Sequence, residues 1–243
     1  MKTTINTNIN EPDYIAGRAG MGGKKIINRI VFVRHGETES NKVLMDSKLQ
    51  NDKNLDTNLT ILGYDQSKQV ADFFEKINLI PNKIIVSKLN RTYNTALPTL
   101  NYLNKKKLTD NYDFDLEFSE GWIEYNYTKN VIIKGINNLD DWKYTQESEQ
   151  KFIERVYVEF DKIKKIGSVD NPVQILVFTH SLVISTILKN CICSKSIDSD
   201  VFFHLSNCSI TCLDITEDNS IHIHTVNYTG HLDIPSGHHM PFV

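Results

Sequence analysis

The stretch INRIVFVRHGET, residues 27–38, decides the fold of this chain. Its first seven residues form a short, nearly continuous apolar run, which is typical of a strand buried on both faces of a parallel sheet. Polar residues follow at once, with Arg34 and His35 at the predicted strand end. Ligands of open α/β sheets bind beyond the carboxyl ends of the strands, so chemistry is expected at this point.

Two further runs of the same kind occur at residues 83–86 and 173–178, and helical patterns separate the three. The helical patterns begin after Thr60, at Asn90, at residue 147 and at residue 183. Residues 209–215 and 220–226 alternate like a closing pair of strands. This order predicts an α/β fold, a three-layer sandwich with a mostly parallel central sheet and helices on both faces.

The domain organisation follows from the same patterns. Residues 1–26 are polar and glycine-rich without sustained periodicity, and we interpret them as a flexible N-terminal leader. Residues 27–243 are predicted to form a single α/β domain. Within it, residues 121–146 are aromatic and polar with little periodicity, so they are either a cap over a site or simple packing.

The composition bounds the partners and the compartment. Hydrophobic residues make up 40% of the 243 and charged residues 23%, as in ordinary soluble proteins, and the formal net charge is −3. We therefore expect neither nucleic acid nor membrane as a partner. A secretory signal and an apolar run of membrane-spanning length are both absent from the sequence, so a cytoplasmic location is the default expectation.

Four cysteines lie close together in the sequence. Cys191 and Cys193 are spaced as Cys-x-Cys, and Cys208 and Cys212 as Cys-x-x-x-Cys. Structural zinc sites are usually built from Cys-x-x-Cys-like pairs, so we expect reduced, mostly structural thiols and no metal.

The predicted strand ends gather two histidines and two arginines. Arg91 lies on the helix after the second run, and His180 directly follows the third. Arginine forks bind phosphate oxygens and stay charged, while imidazole is a competent nucleophile near neutral pH. With Arg34 and His35, the set suits the transfer of a phosphoryl group.

Several segments together resemble the histidine phosphatase superfamily, over most of the chain from residue 28 onward. The resemblance lies in their order and spacing. The segments are Arg34-His35-Gly36-Glu37-Thr38, Leu59-Thr60-x-x-Gly63-x-x-Gln66, Ser87-x-x-x-Arg91-x-x-x-Thr95, Glu147-Ser148 with Arg155, Val177-Phe178-Thr179-His180, Asn207-Cys208-Ser209 and Thr229-Gly230-His231-Leu232.

The resemblance implies roles for particular residues. It makes His35 the phosphorylated nucleophile and places Arg34, Arg91 and His180 around the phosphate, with His180 acting in catalysis. Thr38 and Asn41 are further candidates for contacts with the substrate.

Residues 113–118 look like a further extended segment, and the acid/base group is expected directly after them. The family acid usually follows a Leu-x-Glu pattern, and Phe118-Ser119-Glu120 fits it best. Glu117 and Glu124 are near enough in sequence to remain alternatives.

One departure from the family concerns the residues after the second histidine. The family often has glycine there, whereas this chain has Ser181-Leu182. Glycine permits close approach or an unusual backbone conformation, so we expect a different pocket shape on that side.

Three reactions remain open. A phosphomonoesterase for a small phosphorylated metabolite is favoured, because Thr38-Glu39-Ser40-Asn41 differs from the "GQSxWN" common in mutases. A phosphoglycerate-type mutase and a pseudoenzyme that binds a phosphorylated ligand are the alternatives. Since the arginines and histidines supply the positive charge, we expect neither a cofactor nor a metal, and activity should survive a chelator.

Overall fold

A computed structural model describes residues 23–43, 56–110, 112–126, 130–133, 135, 140–192 and 201–237. Residues 1–22 of the predicted leader lie outside the described residues, and so does Cys193. The described elements, in chain order, are β1 (Ile26–Arg34), α1 (Glu39–Val43), α2 (Ile61–Lys76), β2 (Lys83–Ser87), α3 (Asn90–Asp110), β3 (Asp115–Ser119), β4 (Val131–Ile133), β5 (Trp142–Tyr144), α4 (Glu149–Ile163), β6 (Val173–Thr179), α5 (Ser181–Ile192), β7 (Ile210–Thr216) and β8 (Ile221–Tyr228).

The central sheet has the strand order β3-β2-β6-β1-β7-β8. The strands β3, β2, β6 and β1 are parallel to one another, and β7 runs antiparallel to both β1 and β8. Every residue of β1 and β6 is buried, as the continuous apolar runs predict for central strands. The predicted α/β fold with a mostly parallel sheet is therefore confirmed.

Helices cover both faces of this sheet, because alternate residues of β1 enter different cores. Val31 and Val33 pack with residues of α2 and α3 on one face. Ile30 and Phe32 pack with residues of α4 and α5 on the other. The three layers are thus helices, sheet and helices, and both cores are apolar.

The register between β1 and β6 decides where the two candidate histidines lie. Arg34 pairs with Thr179 at the carboxyl ends of these neighbouring strands. The next residues, His35 and His180, leave the sheet side by side, and the His35 amide still donates to the Thr179 carbonyl at 3.0 Å.

The start of α2 packs tightly against the loop after β1. Thr60 is the N-cap of α2, and its hydroxyl accepts a hydrogen bond from the Gly63 amide at 3.0 Å. A Cβ on Gly63 would lie 2.1 Å from the Glu37 carbonyl oxygen, and one on Gly36 would lie 2.6 Å from the Gly63 carbonyl oxygen. Only glycine allows the two backbones this approach.

The segment proposed as a cap contains the hairpin β4–β5. Its side chains form a separate apolar cluster with Leu89, which lies just beyond the carboxyl end of β2. Trp122, at the start of the segment, belongs to the main core instead, with its ring 6.0 Å from that of Phe32. The hairpin therefore lies near the carboxyl edge of the sheet, while Trp122 serves packing.

None of the described helices is both long enough and apolar enough to cross a membrane.

Candidate active site

His35 is held in one tautomer at the end of β1. Its Nδ1 lies 2.8 Å from the carbonyl oxygen of Gly36, which only accepts hydrogen bonds. Nδ1 therefore carries the proton, and Nε2 keeps a free electron pair. The ring is buried, and the loop that holds it is tied to α3 because the Gly36 amide donates to Thr95 Oγ1 at 2.8 Å. This is the arrangement that a nucleophilic imidazole needs.

His180 faces His35 across the end of the sheet. The two ring centroids are 5.3 Å apart. His180 Nε2 lies 2.8 Å from Ser87 Oγ, at the carboxyl end of β2. His180 Nδ1 is buried and has no hydrogen-bond partner among the described residues. A buried polar atom without a partner is costly, so a ligand that bonds to it gains affinity.

Two buried arginines make the cluster cationic. Arg34 donates through Nη1 to the Leu205 carbonyl, while its Nε is buried without a partner in the described chain. Burial lowers the pKa of Arg34 to about 10, so it stays charged at neutral pH. Arg91, in the first turn of α3, has Nη1 3.7 Å from Asp56 Oδ1.

Burial and the arginines act together on both histidines. Desolvation is the main cause that lowers the pKa of His35 well below its usual value, and the charges of Arg91 and Arg34 lower it further. The pKa of His180 is lowered by the same causes, with burial again the largest. Both rings are therefore neutral at physiological pH, and the fixed positive charge resides on the guanidinium groups.

Thr38 and Asn41 lie beside this cluster and contact each other. The amide and the hydroxyl of Thr38 both donate to Asn41 Oδ1, at 3.1 and 3.0 Å. Asn207 Nδ2 donates to the same oxygen at 3.1 Å and also to the His35 carbonyl at 3.1 Å. The Asn41 amide is thus oriented through its oxygen.

The carboxyl group that reaches the cluster is that of Glu124, which corrects the sequence preference for Glu120. The Glu120 side chain is 53% exposed and pairs with Lys88 at 2.8 Å. Glu117 also points away from the cluster, since it pairs with Lys83 on β2 at 2.9 Å. The chain turns directly after β3, so residues close to the strand end face solvent and a residue further on enters the site.

Glu124 itself lies among the arginines. Its carboxylate accepts hydrogen bonds from the Tyr125 amide at 3.1 Å and the Leu182 amide at 3.4 Å. Burial raises the pKa of Glu124, while the nearby charges of Arg91 and Arg34 lower it and only partly offset burial. A carboxyl group with a raised pKa that lies near a cationic anion pocket is suited to donating and accepting protons.

The comparisons with known proteins identify the family of this chain. The family model described as the histidine phosphatase superfamily (branch 1) matches residues 30–229. The chain belongs to this superfamily.

Solved structures with the same fold include both kinds of superfamily enzyme. A phosphoglycerate mutase from Bacillus anthracis is 17% identical, with 85% of this chain and 96% of that chain covered and a TM-score of 0.62. A mycobacterial glucosyl-3-phosphoglycerate phosphatase is 16% identical (83% and 99% covered, TM-score 0.57). A phosphoserine phosphatase from Entamoeba histolytica is 18% identical (85% and 100% covered, TM-score 0.53). At these identities the likeness concerns the fold, and no curated protein sequence matches the chain.

Ser181 and Leu182 stand where the superfamily often has glycine, and both have negative φ values that any residue can adopt. Neither residue is among those with a positive φ in the described chain, so the position does not demand glycine here. Both residues begin α5, and the Leu182 amide is one of the donors to Glu124. The side chain of Leu182 is partly exposed, so it adds an apolar group next to the acid.

Asn207 is a site residue that the sequence analysis did not single out. It precedes Cys208, a non-glycine residue with a φ of 54°, whose amide donates to the carbonyls of Arg34 and His35 at 3.1 and 3.2 Å. This tight turn brings Asn207 against the backbone of His35. The segment Asn207-Cys208-Ser209 resembled the family pattern, and that resemblance was the available signal.

The cysteines and histidines elsewhere form no ligand cluster in the part of the chain that the structure describes. Cys191, Cys208 and Cys212 are free thiols. Among the described residues, no group of three or more His, Cys, Asp or Glu side chains is placed to hold a metal ion.

Proposed function

We propose that this chain is a phosphomonoester hydrolase that acts on a small phosphorylated metabolite through a phosphohistidine at His35. The observation that carries the proposal is the state of His35. Its Nδ1 is bonded to the Gly36 carbonyl, its ring is neutral, and the charges of the buried Arg34 and Arg91 act on it and on His180. A neutral imidazole with a free Nε2 is the form that attacks phosphorus.

In the first step the arginines bind the phosphoryl oxygens, and His35 Nε2 attacks the phosphorus. The bond to the leaving oxygen breaks as the N–P bond forms. Phosphoryl transfer needs mainly positioning and stabilisation of charge on the equatorial oxygens, which Arg34 Nε, Arg91 and His180 Nδ1 supply as buried polar groups. Asn41, oriented through its Oδ1, adds a donor at the same edge.

The leaving alkoxide needs a proton, and Glu124 provides it. The raised pKa of this buried carboxyl favours its protonated form before the step. In the second step the carboxylate of Glu124 takes a proton from water, whose oxygen attacks the phosphorus. The N–P bond breaks, inorganic phosphate leaves and His35 is restored.

A metal is not required by this scheme, because the guanidinium groups carry the positive charge that a divalent ion would otherwise supply. The mutase is the second candidate, and the B. anthracis phosphoglycerate mutase of the same fold keeps it under test. The segment Thr38-Glu39-Ser40-Asn41 favours the phosphatase. The presence of every expected residue type argues against a pseudoenzyme.

The test compares the wild-type protein, His35→Ala and the control His222→Ala, whose histidine lies on β8. Each is assayed with p-nitrophenyl phosphate and a panel of metabolite phosphates in the presence of a chelator, and 3-phosphoglycerate is monitored for isomerisation. We expect phosphate release and an acid-labile phosphoenzyme from wild type and from the control, and neither from His35→Ala.

Isomerisation without net phosphate release would assign the mutase reaction instead. A folded wild-type protein that neither releases nor moves phosphate would refute the enzyme and leave phospho-ligand binding as its function.

A further inference from the structure

The short loop that carries Glu124 is held through its backbone by side chains from distant elements. We define residues 121–124, between β3 and β4, as the acid loop. Each of its four successive carbonyl oxygens accepts a hydrogen bond from a side chain. The donors are Arg155 Nη1 to the Gly121 carbonyl (2.9 Å) and the Ile123 carbonyl (3.1 Å), Thr179 Oγ1 to the Trp122 carbonyl (2.8 Å), and the Tyr144 hydroxyl to the Glu124 carbonyl.

Buried backbone carbonyls need hydrogen-bond partners, and here side chains supply one to each of the four. The three donors come from β5, α4 and β6, and they lie 20 to 57 residues along the chain from the carbonyls that they bind. They leave the carboxylate of Glu124 untouched and bond only to the backbone beneath it. The anchors therefore set where the carboxyl group stands without altering its chemistry directly.

Arg155 is itself held in place. Its Nε donates to Glu147 Oε2 at 3.2 Å and its Nη2 to Glu147 Oε1, while the guanidinium carbon lies 5.2 Å from the Phe152 ring centroid. The planar fork thus uses one edge for Glu147 and the remaining Nη1 for the acid loop. Lysine, with a single ammonium group, cannot reproduce both.

Tyr144 anchors the last carbonyl of the loop. Burial raises the pKa of its hydroxyl far above the physiological range, so it remains a hydrogen-bond donor at every pH used in an assay. The ring belongs to the small apolar cluster that includes Ile123 and Leu89. Removing only the hydroxyl leaves that packing in place.

We propose that Tyr144 and Arg155, the latter oriented by Glu147, are positioning residues for proton transfer by Glu124. This rests on the proposed function, in which Glu124 protonates the leaving group. A general acid must stand within hydrogen-bond reach of the proton acceptor, and a displacement of about 1 Å lowers rates by up to about a hundredfold. The fold of the loop has a separate anchor in Trp122, which is wholly buried in the main core.

The experiment uses the dependence of rate on the leaving group. A p-nitrophenolate ion leaves without protonation, whereas an alkoxide needs a proton from the acid. For Tyr144→Phe we expect kcat/KM on an alkyl phosphate to fall roughly tenfold and kcat/KM on p-nitrophenyl phosphate to change less than about twofold. Arg155→Lys should show the same selectivity with a larger loss.

The matched control is Tyr102→Phe, which removes a buried hydroxyl that has no hydrogen-bond partner among the described residues. It should leave both substrates unaffected. If Tyr144 had only a structural role, Tyr144→Phe would lower kcat/KM for both substrates by the same factor, and that result would overturn the proposal. Unchanged activity on both would overturn it equally.

A double variant separates this proposal from the proposed function. If Glu124→Gln selectively slows the alkyl phosphate, the acid role stands, and adding Tyr144→Phe should then cost nothing further because the group that it positions is gone. An additional loss in the double variant would refute the positioning role. If Glu124→Gln slows both substrates equally, the acid role itself fails, whatever Tyr144→Phe does.

Discussion

The two sides of the candidate site are built in different ways. On one side, His35 and His180 follow directly from β1 and β6, and the register of two paired strands sets them side by side. On the other, Glu124 lies on the acid loop, where side chains from three remote elements set the backbone. The positions of the two histidines are fixed by the pairing of the strands. The position of Glu124 depends on individual side-chain hydrogen bonds, each of which a single substitution removes.

The largest test of this contrast replaces each candidate acid. Glu124→Gln keeps size and burial but removes the proton, so kcat/KM on an alkyl phosphate should fall roughly 10²- to 10⁴-fold. Glu120→Gln changes an exposed ion pair and should stay within about twofold of wild type. Steady-state kinetics on both proteins checks this, and a larger loss in Glu120→Gln would return the acid role to that residue.

The next test concerns the anion pocket on the strand-end side. Arg91→Met removes one buried guanidinium, and the affinity for inorganic phosphate should weaken by roughly 10- to 100-fold because charged hydrogen bonds are lost. Titration calorimetry measures the affinity, and Lys68→Met, which removes an exposed charge on α2, is the control. Equal phosphate affinity in Arg91→Met and wild type would exclude this residue from the pocket.

A third test breaks the close backbone approach beneath His35. In Gly63→Ala the new Cβ would meet the Glu37 carbonyl, so the free energy of unfolding should fall by about 1–3 kcal/mol. In Gly230→Ala the new Cβ meets only the ring end of Tyr228, which can turn aside, and the loss should be smaller. Denaturant unfolding of both variants gives the comparison, which fails if Gly63→Ala is the milder change.

The smallest effect expected is on the pH dependence of stability, and the two sides should differ in sign. Because the folded pKa of His180 is lowered, the unfolded chain binds more protons just below the ordinary histidine pKa of about 6.5, and stability falls as the pH drops through that range. The pKa of Glu124 is raised, so the folded chain binds more protons above the ordinary carboxyl pKa of about 4.3, and its contribution falls as the pH rises there.

Removing each group should therefore change the slope in opposite directions. His180→Asn should reduce the loss of stability on acidification by at most about 1.4 kcal/mol per pH unit, and Glu124→Gln should increase it. Urea unfolding between pH 5 and 7 measures both. Slopes that shift in the same direction would contradict the assigned pKa directions.

The strand-end residues were predictable because a continuous apolar run in the sequence indicates a buried strand. The run before Arg34 and the run before His180 are apolar throughout, and the residue after such a run must lie at the edge of the sheet. Arg91 was predictable from its distance to Ser87, since one helical turn from a strand end stays near that edge. Within regular strands and helices, the spacing of two residues in the sequence therefore fixes their distance in the structure.

The choice of Glu124 over Glu120 was not predictable by the same reasoning. After β3 the chain has no regular secondary structure, so the direction in which each side chain points cannot be derived from its position in the sequence. The turn at the end of β3 sends Glu120 towards Lys88, and the carbonyl anchors then return Glu124 to the arginines. Asn207 was missed for a related reason, because the turn at Cys208 sets its direction.

The sequence by itself determined the α/β fold, the order of the strands and helices of the main sheet layers, the superfamily and the residues at the ends of the buried strands. Hydrophobic periodicity and runs of apolar residues are properties of short stretches of sequence, so they can be recognised without knowing the tertiary contacts. The tertiary structure alone decided which carboxyl group enters the site, the tautomer of His35 and the position of Asn207. These depend on hydrogen bonds between residues far apart in the chain, and such contacts exist only after folding brings their partners together.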